Sequence, residues 1–252
     1  MNSLKMQWPM NNNAIKRISV WSGPRNISTA LMYSFAQRSD TKVFDEPLYA
    51  YYLKNSKALE YHPGSEDILA TMENEGPKVV DMMINSAESE VLFFKNMTHH
   101  LLDLDRSFMK KITNVILTRD PSEMLPSFDK VIKNPTMDDV GYRFHIDLIS
   151  EFRENDIDFV VLDAKKVLLN PEGVLKQLCN HIEIPFDENM LKWKPSKRPE
   201  DGIWAKYWYE NVHKSSGFSE YKPKTASFPK HLEPLLKECL PYYNELKKLA
   251  LC

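Results

Sequence analysis

The stretch VWSGPRNISTA, residues 20–30, sets a glycine, a proline, an arginine and several hydroxyl and amide side chains between two apolar runs. Arginine supplies a permanent charge in a planar fork, and Ser28 and Thr29 supply hydroxyl donors, a combination suited to an anion with several oxygens such as phosphate. A second set follows Thr118: Arg119, Asp120 and Pro121, with Ser127 eight positions after the arginine. An arginine at a strand's end and a serine two helical turns later can grip one phosphate. Without a ligand, the same residues read as helix caps, an Arg119–Asp120 surface pair and an exposed Ser127.

Groups able to take a proton lie in two further stretches. FKNMTHHLL, residues 94–102, holds His99 and His100, whose imidazoles ordinarily titrate near neutral pH. Neighbours in a regular element point different ways, so at most one is expected to act, the other being a capping or buried hydrogen-bonded histidine. FDEPLY, residues 44–49, holds Glu46, which fits a rival base, an acceptor-orienting carboxylate or an ion-pair partner of Arg25. Pro47 is expected to keep Glu46 in extended backbone. Tyr49, Tyr51 and Tyr52 fit either an acceptor pocket or the core.

The elements that must position these groups can be read from pattern. β-Branched and aromatic runs at 17–21, 42–44, 91–95, 114–118 and 158–162 read as strands separated by helical stretches. That alternation predicts an α/β fold with a parallel sheet and crossover helices. Ile27, Leu31 and Phe35 follow the first run at helical spacing, so SGPRN is a strand-to-helix turn. In open α/β sheets ligands sit at the carboxyl ends of strands, where the next helix offers free N–H groups and a positive dipole end. The turn is not a Walker A loop, because the second glycine and the Gly-Lys pair are missing. Asn170-Pro171-Glu172 marks a helix start that continues over 173–179. Beyond Pro185 the chain reads as irregular and aromatic, with Trp193, Trp204, Trp208 and Tyr209 in either a ligand cover or plain surface packing.

Composition narrows the class. The chain has 252 residues, 42% hydrophobic and 27% charged, with a net charge of −2. That suffices for one domain over 1–252, with a flexible segment at 1–16 and a lid candidate at 193–225. The charge balance disfavours nucleic acid as a partner. No run approaches the ~18 apolar residues of a membrane span, and the first residues lack a signal peptide's apolar core, so no membrane partner and a cytoplasmic location are expected. Cys179, Cys239 and Cys252 have neither zinc spacing nor a disulfide framework. They read as plain buried or terminal thiols, and no metal is expected.

Pro24, Arg25, Asn26, Ile27, Ser28 and Thr29 together resemble the Pro-Lys-Ser-Gly-Thr-Thr loop after the first strand of sulfotransferases that use 3′-phosphoadenosine 5′-phosphosulfate (PAPS). Arginine stands for the lysine, and Asn26 and Ile27 stand for Ser and Gly. Arg119, Pro121 and Ser127 are similar to the family's 3′-phosphate motif, and Lys95, Thr98 and His99 to its Lys-Thr-His run at longer spacing. Gly202, Trp204 and Lys206 match part of a Gly-x-x-Gly-x-Trp-Lys element. PRNISTA, FDEPLYAYYL and FKNMTHHL are similar to divergent sulfotransferase-like proteins of bacteria and plants. The resemblance implies a P-loop nucleotide-kinase-like fold, a single domain with a parallel sheet flanked by helices. It also implies PAPS as nucleotide donor and a small-molecule acceptor with a hydroxyl or amine. By the same resemblance residues 24–29 hold the 5′-phosphosulfate, Arg25 stabilises the leaving phosphate, and Arg119 and Ser127 hold the 3′-phosphate. His99 is the implied base, with His100 and Glu46 as rivals. A nucleotide or small-molecule kinase and a nucleotide-binding protein without turnover are the competing readings; oligomeric state is not legible.

Overall fold

The computed structural model describes residues 15–251. The expected flexible segment 1–16 lies almost wholly outside them, and so does Cys252. Five strands form, β1 (Lys16–Ser22), β2 (Thr41–Asp45), β3 (Val91–Met97), β4 (Thr113–Thr118) and β5 (Phe159–Asp163). All pair in parallel, in the spatial order β2-β3-β1-β4-β5. Each run read from the sequence is a strand, with ends displaced by at most two residues.

Helices cover both faces. α1 (Ser28–Phe35) leaves β1, while α2 (Tyr49–Lys54), α3 (Ser65–Thr71) and α4 (Gly76–Asn85) separate β2 from β3. α5 (Pro121–Phe128), α6 (Met137–Val140) and α7 (Tyr142–Glu154) separate β4 from β5, and α8 (Ala164–Leu169) and α9 (Pro171–His181) follow. α10 (Ala205–Trp208), α11 (Glu210–His213) and α12 (Glu233–Leu249) complete the series. Asn170 caps α9 by accepting from the Gly173 N–H at 3.0 Å, as its sequence predicts. The irregular stretch expected after Pro185 ends at α12, whose buried Leu235, Cys239, Tyr243 and Leu246 recur at helical spacing despite the internal Pro241.

Period-two alternation along the strands divides the core. Ile18, Val20, Val115, Leu117, Val160 and Leu162 pack on one face with Leu31 and Phe35 of α1 and Val174 and Leu178 of α9. Trp21, Leu92, Phe94, Ile116 and Val161 pack on the other with residues of α4, α5, α7 and α12. Cys179 and Cys239 are buried thiols, one in each layer. The chain leaves β1 towards β2 on one side of the sheet and leaves β4 towards β5 on the other. The connections therefore diverge between β1 and β4, and the turns after these strands flank the crevice where open α/β sheets bind ligands.

Candidate active site

A cleft of about 440 Å³ opens at that crevice. Its walls include residues 24–29, Glu46, His99, His100, Arg119 and Ser127, whereas Tyr51, Tyr52 and Lys206 lie outside it. At the β1–α1 turn, a Cβ on Gly23 would lie 2.7 Å from the Val140 carbonyl oxygen, so only glycine allows this approach. Arg25 and Ile27 adopt left-handed backbone, with φ of 56° and 63°. No side chain caps α1, and its first helical bond runs from the Leu31 N–H to the Ile27 carbonyl at 3.0 Å. Helix geometry leaves the preceding N–H groups free for an anion. Asn26 contributes shape, because its buried amide donates to the Leu117 carbonyl at 3.1 Å.

Arginine geometry ties the two turns together. Arg25 Nε donates to Ser127 Oγ at 3.1 Å, and Nη1 donates to the Trp208 carbonyl at 2.9 Å. Arg119 Nη1 donates to the Arg25 carbonyl at 3.1 Å, while its Nε and Nη2 share Glu123 Oε2 at 3.2 Å. Glu123 Oε1 accepts from the Tyr221 hydroxyl at 2.7 Å, and the Glu123 carbonyl accepts from Lys224 Nζ. Burial and the nearby Arg119 charge lower the pKa of Arg25. Lys224 is lowered by burial and then by Arg119, with Lys130 and Arg25 adding to the effect. These cations repel one another across a cleft in which Glu123 is their one direct acidic partner among the described residues. A bound polyanion relieves that repulsion.

The opposite wall holds the proton-accepting candidates. Lys95, fully buried, donates to Asp45 Oδ1 at 2.8 Å, to Glu46 Oε1, and to the Tyr209 hydroxyl at 2.7 Å. Burial opposes the Lys95 charge, but Asp45 and Glu46 outweigh it and raise its pKa. Glu46 is raised by burial, against the pull of Lys95 and with the help of Asp45. Tyr209 brings the 202–213 segment to this cluster, its hydroxyl 2.8 Å from both Asp45 oxygens. His99 and His100 occupy a 3-10 turn, Thr98–Leu101, directly after β3. The His100 ring stacks between Tyr49 and Tyr52, at 4.9 Å and 4.5 Å between centroids. Burial, followed by neighbouring His62, depresses the His99 pKa to about 3.

Several expectations change. Ser127 engages Arg25 rather than sharing a partner with Arg119, because α5 points its hydroxyl across the cleft. The Arg119–Asp120 pair does not form: Asp120 Oδ1 instead caps α5 by accepting from the Ser122 N–H at 2.8 Å. Glu46 is not extended but left-handed, with φ of 45°, since its N–H donates to the Lys95 carbonyl at 2.7 Å while its own carbonyl accepts from Tyr49. Its ion-pair partner is Lys95, not Arg25. Both histidines line the cleft, because the tight turn sets their rings edge to face at 4.7 Å instead of on opposite sides. A histidine titrating near neutrality is replaced by one that burial holds neutral. Lys206 faces Asp67 at 3.9 Å outside the cleft wall, and Lys222 and Lys224 line the cleft in its place. Sequence reading named Tyr209 only as part of a ligand cover or surface packing and missed these two lysines and Asp45; the paired acids of FDEP were a signal for Asp45, whereas isolated lysines in a coil carry none.

The family model for the sulfotransferase domain matches residues 16–250. A relative from Arabidopsis thaliana, named branched-chain-amino-acid aminotransferase-like protein 2, is 39% identical over 232 residues, which cover 91% of this chain and 41% of the relative. The chain thus spans about two-fifths of that protein's length. The solved sulfotransferase domain of the Synechococcus PCC 7002 olefin synthase superposes with a TM-score of 0.58 at 18% identity, covering 92% of this chain and 98% of that domain. The sulfotransferase domain from the curacin biosynthetic pathway gives 0.51 at 14% identity, covering 92% and 99%. At such identities these two likenesses establish a common fold.

Proposed function

We propose that this chain, which belongs to the sulfotransferase domain family, transfers a sulfuryl group from PAPS to a hydroxyl or amine of a small molecule. One observation carries the reading: Arg25, Arg119 and Lys224 converge with the uncapped start of α1 on a cleft that also holds His99 and Glu46. The residues suit a donor with two separate phosphate groups. Residues 24–29 and the free N–H groups of α1 would hold the 5′ end, and Arg119 with Lys224 the 3′-phosphate. In the reaction the acceptor oxygen or nitrogen bonds to sulfur as the sulfur–oxygen bond to the 5′-phosphate breaks; the phosphate keeps the electron pair and a base takes the acceptor's proton.

Arg25 is suited to the charge that develops on the phosphate, since Ser127 and the Trp208 carbonyl fix its fork over the α1 turn. His99, kept neutral by burial, is available to accept a proton without first losing one. Glu46 is the second proton acceptor on the same wall, and His100, stacked between tyrosines, orients His99. The 193–225 segment serves as a cover, with Trp208 and Tyr209 touching Arg25 and Lys95. Calorimetry with 3′-phosphoadenosine 5′-phosphate, ADP and AMP tests the reading. Tight binding of the 3′-phosphorylated nucleotide alone is expected; magnesium-dependent ADP binding of equal strength would overturn it in favour of a kinase.

A further inference from the structure

His99 stands between the cleft and a second cavity of about 710 Å³, and among the described residues it is the one side chain that lines both. A base in that position needs its ring held. Its Nδ1 is shut off from solvent and has no hydrogen-bond partner among the described residues, whereas Nε2 is not so enclosed and is the nitrogen left to a substrate. A neutral imidazole carries one N–H and one lone pair, and the bond made by one nitrogen decides the role of the other. For Nε2 to take a proton, Nδ1 must carry the hydrogen and find an acceptor.

Most neighbours of His99 are already engaged. The Asp139 carboxylate accepts at 2.7 Å from the Tyr61 hydroxyl and from both the N–H and the hydroxyl of Thr136, and His62 Nδ1 is bonded to the Tyr49 hydroxyl at 2.7 Å. His145 is not. It lies in the first turn of α7, fully buried, and neither of its ring nitrogens completes a hydrogen bond among the described residues. Buried polar nitrogens are rarely left so. Two glycines bring the rings to a common contact: a Cβ on Gly141, whose φ is 78°, would stand 3.7 Å from His99 Nδ1 and 3.8 Å from the Gly23 Cα, and a Cβ on Gly23 would stand 3.8 Å from His145 Cε1. Only hydrogens occupy those positions. Burial lowers the His145 pKa to about 4 against the opposing effect of the Ser22 backbone, whose carbonyl is an acceptor for a ring N–H. His145 in turn is among the groups that act on His99.

We infer that His145 is the positioning residue for His99: one of its ring nitrogens accepts from His99 Nδ1–H, directly or through one ordered water, while the other donates to the Ser22 carbonyl. The inference rests on the sulfuryl-transfer reading, in which His99 receives the acceptor's proton. That proton goes to Nε2 as the acceptor oxygen bonds to sulfur, and it stays there. Nδ1–H keeps its bond to His145, which steadies the imidazolium without itself taking a proton.

Long-range proton–nitrogen correlation spectra of the chain with isotopically labelled histidine, with and without 3′-phosphoadenosine 5′-phosphate, test it, the His99 signals being assigned by their loss in His99→Gln. Free histidine favours the Nε2–H tautomer, whereas His99 is expected in the Nδ1–H form at neutral pH. In His145→Phe, which keeps a buried ring but no acceptor, His99 should revert to Nε2–H. His145→Gln should restore Nδ1–H, because an amide can accept from His99 and donate to Ser22 at once. Parent His99 as Nε2–H or as imidazolium, a His145→Phe chain that keeps Nδ1–H, or a folded His145→Gln chain with the spectrum of His145→Phe would each overturn the inference. The first of these needs no substitution at 145, so a variant that fails to fold does not shield the inference. Failure of the nucleotide to bind would instead overturn the parent reading, because the tautomer is read in the free chain as well.

Discussion

β1 and β4 lie side by side, and each turns into an eight-residue helix at the same edge of the sheet, yet the two turns are built in opposite ways. The β4–α5 turn is self-sufficient. Asp120 caps the helix, Pro121 occupies its first position, and Arg119 is matched by Glu123. In the β1–α1 turn two non-glycine residues are left-handed, the helix has no side-chain cap, and Arg25 bonds to a neutral hydroxyl and a carbonyl. Left-handed backbone costs such residues roughly 1–2 kcal/mol each, and the free N–H groups await an acceptor. The β4 turn is closed by its own residues and turns only Arg119 to the cleft, whereas the β1 turn leaves its backbone N–H groups and Arg25 without an acidic partner.

The sharpest break of this contrast is at Arg25. Arg25→Ala should lower the turnover number by about 10²–10³ while changing affinity for 3′-phosphoadenosine 5′-phosphate only a few-fold, since its charge is most needed as the leaving phosphate forms. Steady-state kinetics beside calorimetry checks this. A variant that loses affinity and turnover equally would make Arg25 a simple binding residue.

His99, between the two cavities, should come next, with His99→Ala lowering turnover by at least about 10². The pH profile then separates it from Glu46. A base acts when unprotonated, so rate rises with pH through its pKa. With His99 depressed to about 3, the rate should be flat across the neutral range. If Glu46 is the base, an acidic limb should appear above the ordinary carboxylate range, because burial raises that group, and it should vanish in Glu46→Gln. Arg119→Ala should have a smaller effect of another kind: affinity for 3′-phosphorylated nucleotide should fall by about tenfold to a hundredfold, with ADP hardly affected. Equal losses for both nucleotides would break the assignment of this turn to the 3′-phosphate.

Much of this frame was legible in the sequence because it depends on local pattern. The five strands follow from short apolar runs, and the start of α9 from Asn170 and Pro171, since each signal is carried by neighbouring residues. Candidate residues could likewise be picked by chemistry, as arginines, hydroxyls and histidines beside strand ends. What could not be read was pairing across the sheet. That Glu46 would meet Lys95, 49 positions away, follows from β2 lying beside β3 in register, so that Asp45 pairs with Lys95. Lys224 and Tyr209 reach the cleft from a coil and a short helical segment with no periodicity to place them. The His99 pKa was misjudged for the same reason, because its depression comes from burial among groups distant in sequence.

The smallest effect divides the two turns most cleanly, because stability and affinity should separate in opposite directions. Asp120 accepts from the Ser122 N–H at 2.8 Å, and removing such a cap costs about 1 kcal/mol, so Asp120→Ala should destabilise the fold by that amount in urea unfolding. Nucleotide affinity should stay the same. The Ser28 hydroxyl, by contrast, caps nothing and makes no hydrogen bond among the described residues, although the residue is buried at the start of α1 and lines the cleft. Ser28→Ala therefore leaves no partner unsatisfied, and stability should stay within about 0.5 kcal/mol of the parent. If that hydroxyl serves the 5′-phosphate, nucleotide affinity should drop by about fivefold to tenfold, the worth of one hydrogen bond to a charged group. Should Ser28→Ala instead destabilise the fold like Asp120→Ala and bind nucleotide normally, the two turns would be equivalent caps, and the case for a phosphate at α1 would fall with their difference.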